Sequence, residues 1–209
     1  MAYLSDTAIF EAERNKWRSA FWEGISFPAQ VFKRPRGPFL FFEFGLFFKS
    51  SFFNCLKKFL ISTNETTVSF VVIDPDPAKY FYREFKKYPI VSFSTQDSAE
   101  DYLRQLSKDP GDSSADAIAS NSSKVLVYPP SLQWEIFGDR DFDWAVLNCM
   151  SKNIHDRFIE HCESHGVRPV EGIVPFINEV IPIQNDKGVK LQWTIDALIE
   201  NYSNNKLKN

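Results

Sequence analysis

The chain has 209 residues, 44% of them hydrophobic and 24% charged. That is ordinary globular usage and excludes the disordered and fibrous classes. A formal net charge of −3 gives no broad electrostatic footprint for a phosphate backbone, so nucleic acid is not expected as a partner.

The opening residues bring Asp6, Glu11 and Glu13 with no basic stretch leading into an apolar one, which is unlike a secretory signal. A cytoplasmic protein is expected. Phe10, Trp17 and Phe21 recur at helical spacing after Asp6, a good N-cap, and predict a helix from Asp6 to Gly24. Pro28, Pro35 and Pro38 then hold a loop that carries Lys33, Arg34 and Arg36. The phenylalanine-rich stretch from Phe39 to Ile61 is the one membrane candidate, yet Glu43, Lys49, Lys57 and Lys58 interrupt it. A spanning helix needs about 20 predominantly apolar residues, so no membrane association is expected. A buried strand, Phe39 to Phe44, followed by an amphipathic helix, Ser50 to Leu60, fits better.

Thr67 to Ile73 is a β-branched run that predicts a central strand, and Asp76-Pro77 starts the helix after it. Ile90 to Phe93 reads as a short strand and Asp97 to Leu106 as a helix, with Asp97 and Glu100 at capping-box spacing. Alternating helices and strands suggest crossover units on a partly parallel sheet. Lys108 to Ser123 offers Ile118 as its sole large apolar side chain and predicts a flexible loop.

Val125 to Tyr128 resumes as a strand. Trp134 to Phe137 and Trp144 to Leu147 flank the polar turn Gly138-Asp139-Arg140-Asp141 as a hairpin. A helix from Ser151 to His165 ends at Gly166, Ile173 to Ile183 reads as an edge strand around Pro175 and Pro182, and Leu191 to Tyr202 is the last helix. The tail after it should fray. The expected class is therefore α+β, a central mixed sheet flanked by about six helices. One domain over 1–209 is expected, with a subdivision into 1–107 and 124–209 around 108–123 left open.

No catalytic or cofactor motif stands out, and no cofactor is expected. His155, His161 and His165 share a predicted helix with Cys162, but no HExxH or second cysteine pair accompanies them. Three cysteines without CxxC spacing read as reduced, mostly buried thiols, so no metal site and no disulfide is expected. Asp139, Asp141 and Asp143 alternate around Arg140, as a divalent ion could use, without the glycine and distal glutamate of a Ca²⁺ loop. Pro75-Asp76 with Glu84-Phe85-Lys86 matches the PD and ExK elements of metal-dependent nucleases only superficially, since Asp76 caps a helix and Glu84 lies inside it. Lys33, Arg34 and Arg36 form a solvated basic cluster that could meet one acidic partner patch.

The segment from Tyr128 to Leu147, with Pro129-Pro130-Ser131, Trp134, Gly138-Asp139-Arg140 and Ala145-Val146-Leu147, resembles hairpins of small bacterial proteins from toxin and immunity loci. The resemblance implies a cytosolic protein that binds and neutralises a cognate toxin. Period-two alternation sends Trp134 and Ile136 inward, which leaves Glu135, Asp139, Arg140, Asp141 and Asp143 as the expected partner-binding residues. Two alternatives stand beside this: a metal-dependent hydrolase or nuclease built on Asp139, Asp141 and Asp143, and a scaffold subunit.

Overall fold

The structure is a computed structural model that describes residues 3–111, 114–180 and 188–203. Helix α1 (Thr7–Ala20) starts where Asp6 accepts the amides of Ala8 and Ile9 at 2.8 and 3.0 Å, the capping the sequence predicts. After the proline loop come β1 (Phe39–Glu43), a tight helical turn over Phe44–Phe48, and α2 (Ser50–Ser62). The aromatic run is thus a buried strand and an amphipathic helix. Among the described residues no helix is long and apolar enough to cross a membrane.

β2 (Thr67–Asp74) leads to a widened helical turn, Pro77–Tyr82, that tightens into α3 (Arg83–Phe85). β3 (Ile90–Ser94) and α4 (Ala99–Leu106) follow. The capping box of α4 is Ser98 with Asp101, one residue beyond the expected pair. β4 (Lys124–Tyr128), β5 (Trp134–Asp139) and β6 (Trp144–Cys149) form the expected strand and hairpin, and α5 (Lys152–Cys162), α6 (Val170–Val180) and α7 (Gly188–Tyr202) close the chain.

The six strands form one sheet in the order β1-β6-β5-β4-β2-β3, and every pairing is antiparallel. The α+β class holds. The parallel crossover units do not: the antiparallel order gives β1 and β2 the same direction, but β6, β5 and β4 lie between them. Order along the chain cannot distinguish these arrangements, because β1 pairs with β6 and β2 with β4 across long stretches of sequence. Strands from both sides of 108–123 pair directly, Val72 opposite Val125 and Phe70 opposite Val127.

Each face of the sheet carries its own core. Phe42, Phe70, Val127, Ile136 and Leu147 point to the side covered by α2, α4 and α5, while Phe41, Val71, Leu126, Phe137 and Val146 point to the side covered by α1, α6 and α7. Rings interlock throughout, as in the edge-to-face contacts of Phe27 with Phe137 and of Phe59 with Phe158. Offset and edge-on geometry adds roughly 0.5–1.5 kcal/mol per pair beyond area burial.

Three expectations are corrected here. Residues 173–180 are helical, since Val170 and Ile173 are buried at a spacing of three and Pro175 falls on the exposed side; positions 181–183 of the expected strand, and the tail 204–209, lie outside the described residues. The segment 114–123 is anchored: Ala117, Ile118 and Ser122 are buried, Asp116 accepts the Tyr80 hydroxyl at 2.5 Å, and the Ala119 amide donates to Leu106. Residues 112 and 113 of that segment lie outside the described residues. Finally, Cys55 and Cys162 form a disulfide between α2 and α5, with Cα atoms 5.5 Å apart, and Cys149 alone is a free, buried thiol. Their separation of 107 residues leaves no spacing signal in the sequence.

Two outcomes are expected. Iodoacetamide under denaturing, non-reducing conditions should add one label per chain, and three after reduction; three labels without reductant would remove the disulfide. Ile118→Ala should cost about 2–4 kcal/mol in urea unfolding, whereas a loss below about 0.5 kcal/mol would return the segment to an unanchored loop.

Candidate functional site

Of the five residues expected to face a partner, the sheet buries two. Glu135 is 2% exposed and Asp139 1%. Alternation does turn Glu135 away from Trp134 and Ile136, but the face it turns to is also covered. At Asp139, one carboxylate oxygen accepts the Asp141 amide at 3.1 Å, and burial raises the pKa of the group against the opposing charge of Lys124. Arg140, Asp141 and Asp143 are exposed.

Arg140 is nevertheless committed locally. Its Nε donates to the Ser122 carbonyl at 2.6 Å and its Nη2 to the Ala119 carbonyl at 3.0 Å. The guanidinium also lies over Phe44 and Phe48, 5.1 and 5.5 Å from the ring centroids. Asp143 takes the left-handed turn position, with φ 58°, and its carbonyl accepts the Phe44 amide at 2.9 Å. The turn therefore fastens 119–123 and the helical turn Phe44–Phe48 to the hairpin. The three aspartates do not converge, and among the described residues no three metal-ligating side chains do.

The other candidates have structural occupations too. Asp76 accepts the amides of Ala78 and Lys79 at 2.9 and 2.8 Å, while Glu84 pairs with Arg83. The sulfur of Cys162 is bonded to Cys55, His155 contacts Asp156, and His165 lies in a separate turn after α5.

What the structure brings together instead is the loop before β1 and the end of the β5–β6 hairpin. Asn148 Nδ2 donates to the Arg34 carbonyl and to Glu135 Oε2, both at 3.1 Å. Asn148 Oδ1 accepts the amides of Arg36 and Gly37 at 3.1 and 3.2 Å. One buried amide thus uses its two donors and both lone pairs to hold the loop. Burial pushes the Glu135 carboxyl up to about 7, opposed by the Asn148 hydrogen bond and by the charges of Arg34 and Arg36. The loop presents Lys33, Arg34 and Arg36 to solvent.

Upstream, the chain doubles back so that Trp22 donates its amide to Val31 and Lys33 donates its amide to Ala20. Lys33 Nζ consequently lies 4.9 Å from the centre of the Trp22 ring. Trp22 is 51% exposed and Ile25 37%. Beside them opens a cleft of about 340 Å³ lined by Phe10, Trp17, Phe21 and Trp22, with Arg14, Glu23 and Asp76 also in its wall. Sequence reading places Lys33, Arg34 and Arg36 in a loop but gives no sign of Asn148, since a single polar residue in a strand carries no local pattern. The exposure of Trp22 was equally hidden.

No protein-family model, curated protein or solved structure matches this chain.

Because the folded pKa of Glu135 lies above its ordinary value of 4.5, folding favours the protonated carboxyl. Its contribution to stability is complete below about pH 4.5 and is lost as pH rises through about 7. Glu135→Gln should therefore match wild type at pH 4.5 and exceed it by roughly 1–3 kcal/mol at pH 8, at about 1.4 kcal/mol per pKa unit. Urea midpoints at the two pH values test this, and a difference independent of pH would contradict it.

Proposed function

We propose that this chain acts by binding another protein, and that it does so with the surface around Trp22, Ile25 and the Lys33–Arg36 loop. The observation that carries the reading is the half-exposed Trp22 beside an aromatic cleft, with Lys33 above its ring. Protein interfaces concentrate their energy in such aromatic and arginine anchors, within a rim of polar groups. The resemblance of the Tyr128–Leu147 hairpin to proteins of toxin and immunity loci suggests a toxin as the partner. The hairpin supplies support rather than the contact surface in this reading: Glu135 and Asp139 are buried and Arg140 is occupied, while Asn148 positions the loop.

A photo-crosslinking amino acid placed at Trp22 should give one discrete adduct in the source cell, and the same group at Asp141 none. An adduct from Asp141 alone would return the interface to the hairpin turn, and no adduct at either position would remove the reading. For the toxin assignment, co-expression with a toxin-type reading frame beside the gene should restore growth, and Trp22→Ala should weaken that protection at least tenfold.

A further inference from the structure

The chemistry of the partner can be taken further, on the basis of the protein-binding reading above. Residues 21–38 contain one acid, Glu23, and three bases, Lys33, Arg34 and Arg36. Glu23 is already engaged, 2.7 Å from Arg18 Nε and 3.8 Å from Arg14 Nε. Lys33 Nζ donates to the Arg18 carbonyl at 2.5 Å while lying over Trp22. Arg34 and Arg36 differ from these. Among the described residues neither guanidinium has a carboxylate within ion-pair distance, and the polar neighbour of Arg36 Nη1 is the Met150 sulfur at 3.9 Å.

These two arginines are not on a loose loop. Asn148 holds the backbone at Arg34, Arg36 and Gly37, and the rings of Pro35 and Pro38 fix φ between and after them. Ordering of the loop on binding is thereby largely avoided, which is what gives preorganised surfaces their affinity. A guanidinium fork matches a carboxylate through two parallel hydrogen bonds, a geometry an ammonium does not provide. The acid that the charges of Arg34 and Arg36 act on, Glu135, is buried and bonded to Asn148. Lys33, the residue before Arg34, lies over the exposed Trp22 ring.

We infer that the Lys33–Arg36 loop receives an acidic segment of the partner protein, with carboxylates on Arg34 and Arg36 and an apolar side chain against Trp22. Three bases on one short loop suit a few carboxylates better than a long polyanion, because nucleic-acid affinity grows with the number of phosphates neutralised.

The test is fluorescence anisotropy of the whole protein with three labelled probes: a peptide of five glutamates around one phenylalanine, its glutamine counterpart, and a single-stranded RNA decamer. The acidic peptide should bind, weaken at least fivefold between 50 and 300 mM NaCl, and outcompete the glutamine peptide by tenfold or more. Arg34→Gln with Arg36→Gln should weaken it at least tenfold with the melting temperature unchanged, and Trp22→Ala several-fold. Glu135→Gln, which removes the charge beneath the loop, should tighten it about twofold at pH 8. Equal binding of the two peptides, no acidic-peptide binding, or indifference to the double arginine variant would overturn the inference. Tighter binding of the RNA would overturn it as well and assign the loop to nucleic acid. Crosslinking from Trp22 that persists in the arginine double variant, while the acidic peptide fails to bind, would remove the acidic segment and keep the protein-binding reading.

Discussion

Both faces of the sheet are covered, so β5 and β6 have no solvent side: every residue of both strands is buried. Much of the local chemistry follows from that constraint. A polar side chain on a two-sided buried strand has no water to turn to, and leaving one unpaired costs about 1–3 kcal/mol; among the described residues the indole Nε1 of Trp134 on β5 is left so. Asn148 and Glu135 avoid that cost by bonding to each other and, through Asn148, to the backbone of the loop before β1. A need for satisfied hydrogen bonds in the core thus becomes a device for holding two surface arginines in place.

The covering layers are held by different means. On the side of α2 and α5, a disulfide joins the two helices within a core of interlocked rings. Closing a loop of that length restricts the unfolded chain by several kcal/mol in the chain-entropy account. On the other side α1 is attached by aromatic and polar contacts, such as the stacking of Phe10 on Tyr88 and the bond from Tyr128 to Glu13. There α1 also leaves the aromatic cleft open beside Phe10 and Trp17. The layer with the open surface is the one that α1, α6 and α7 build.

In the hairpin the strands follow the sequence pattern, while two of the five charges expected to face outward do not reach solvent. Its two strands and the inward course of Trp134 and Ile136 follow from alternation, but the turn falls at residues 140–143, so Gly138 and Asp139 belong to β5 and pair with Ala145 and Trp144. Alternation also predicts a polar outer face, and this fails at Glu135 and Asp139 because α1, α6, α7 and the 21–38 loop cover that side. Arg140 fails for a related reason: its partners, the carbonyls of Ala119 and Ser122, come from a segment whose composition suggests a free loop.

The features legible from residue order are local. The Asp6 and Asp76 caps, the strand and helix within the phenylalanine run, the central β2 and the last helix were all legible, because capping and apolar periodicity act within a few residues. The tertiary structure alone decided the strand order, the helical state of 173–180, the pairing of Cys55 with Cys162, and which charges reach solvent. Each of these depends on contacts between segments far apart in the chain. A strand's own pattern records that one face is apolar, but not whether another layer will cover the second.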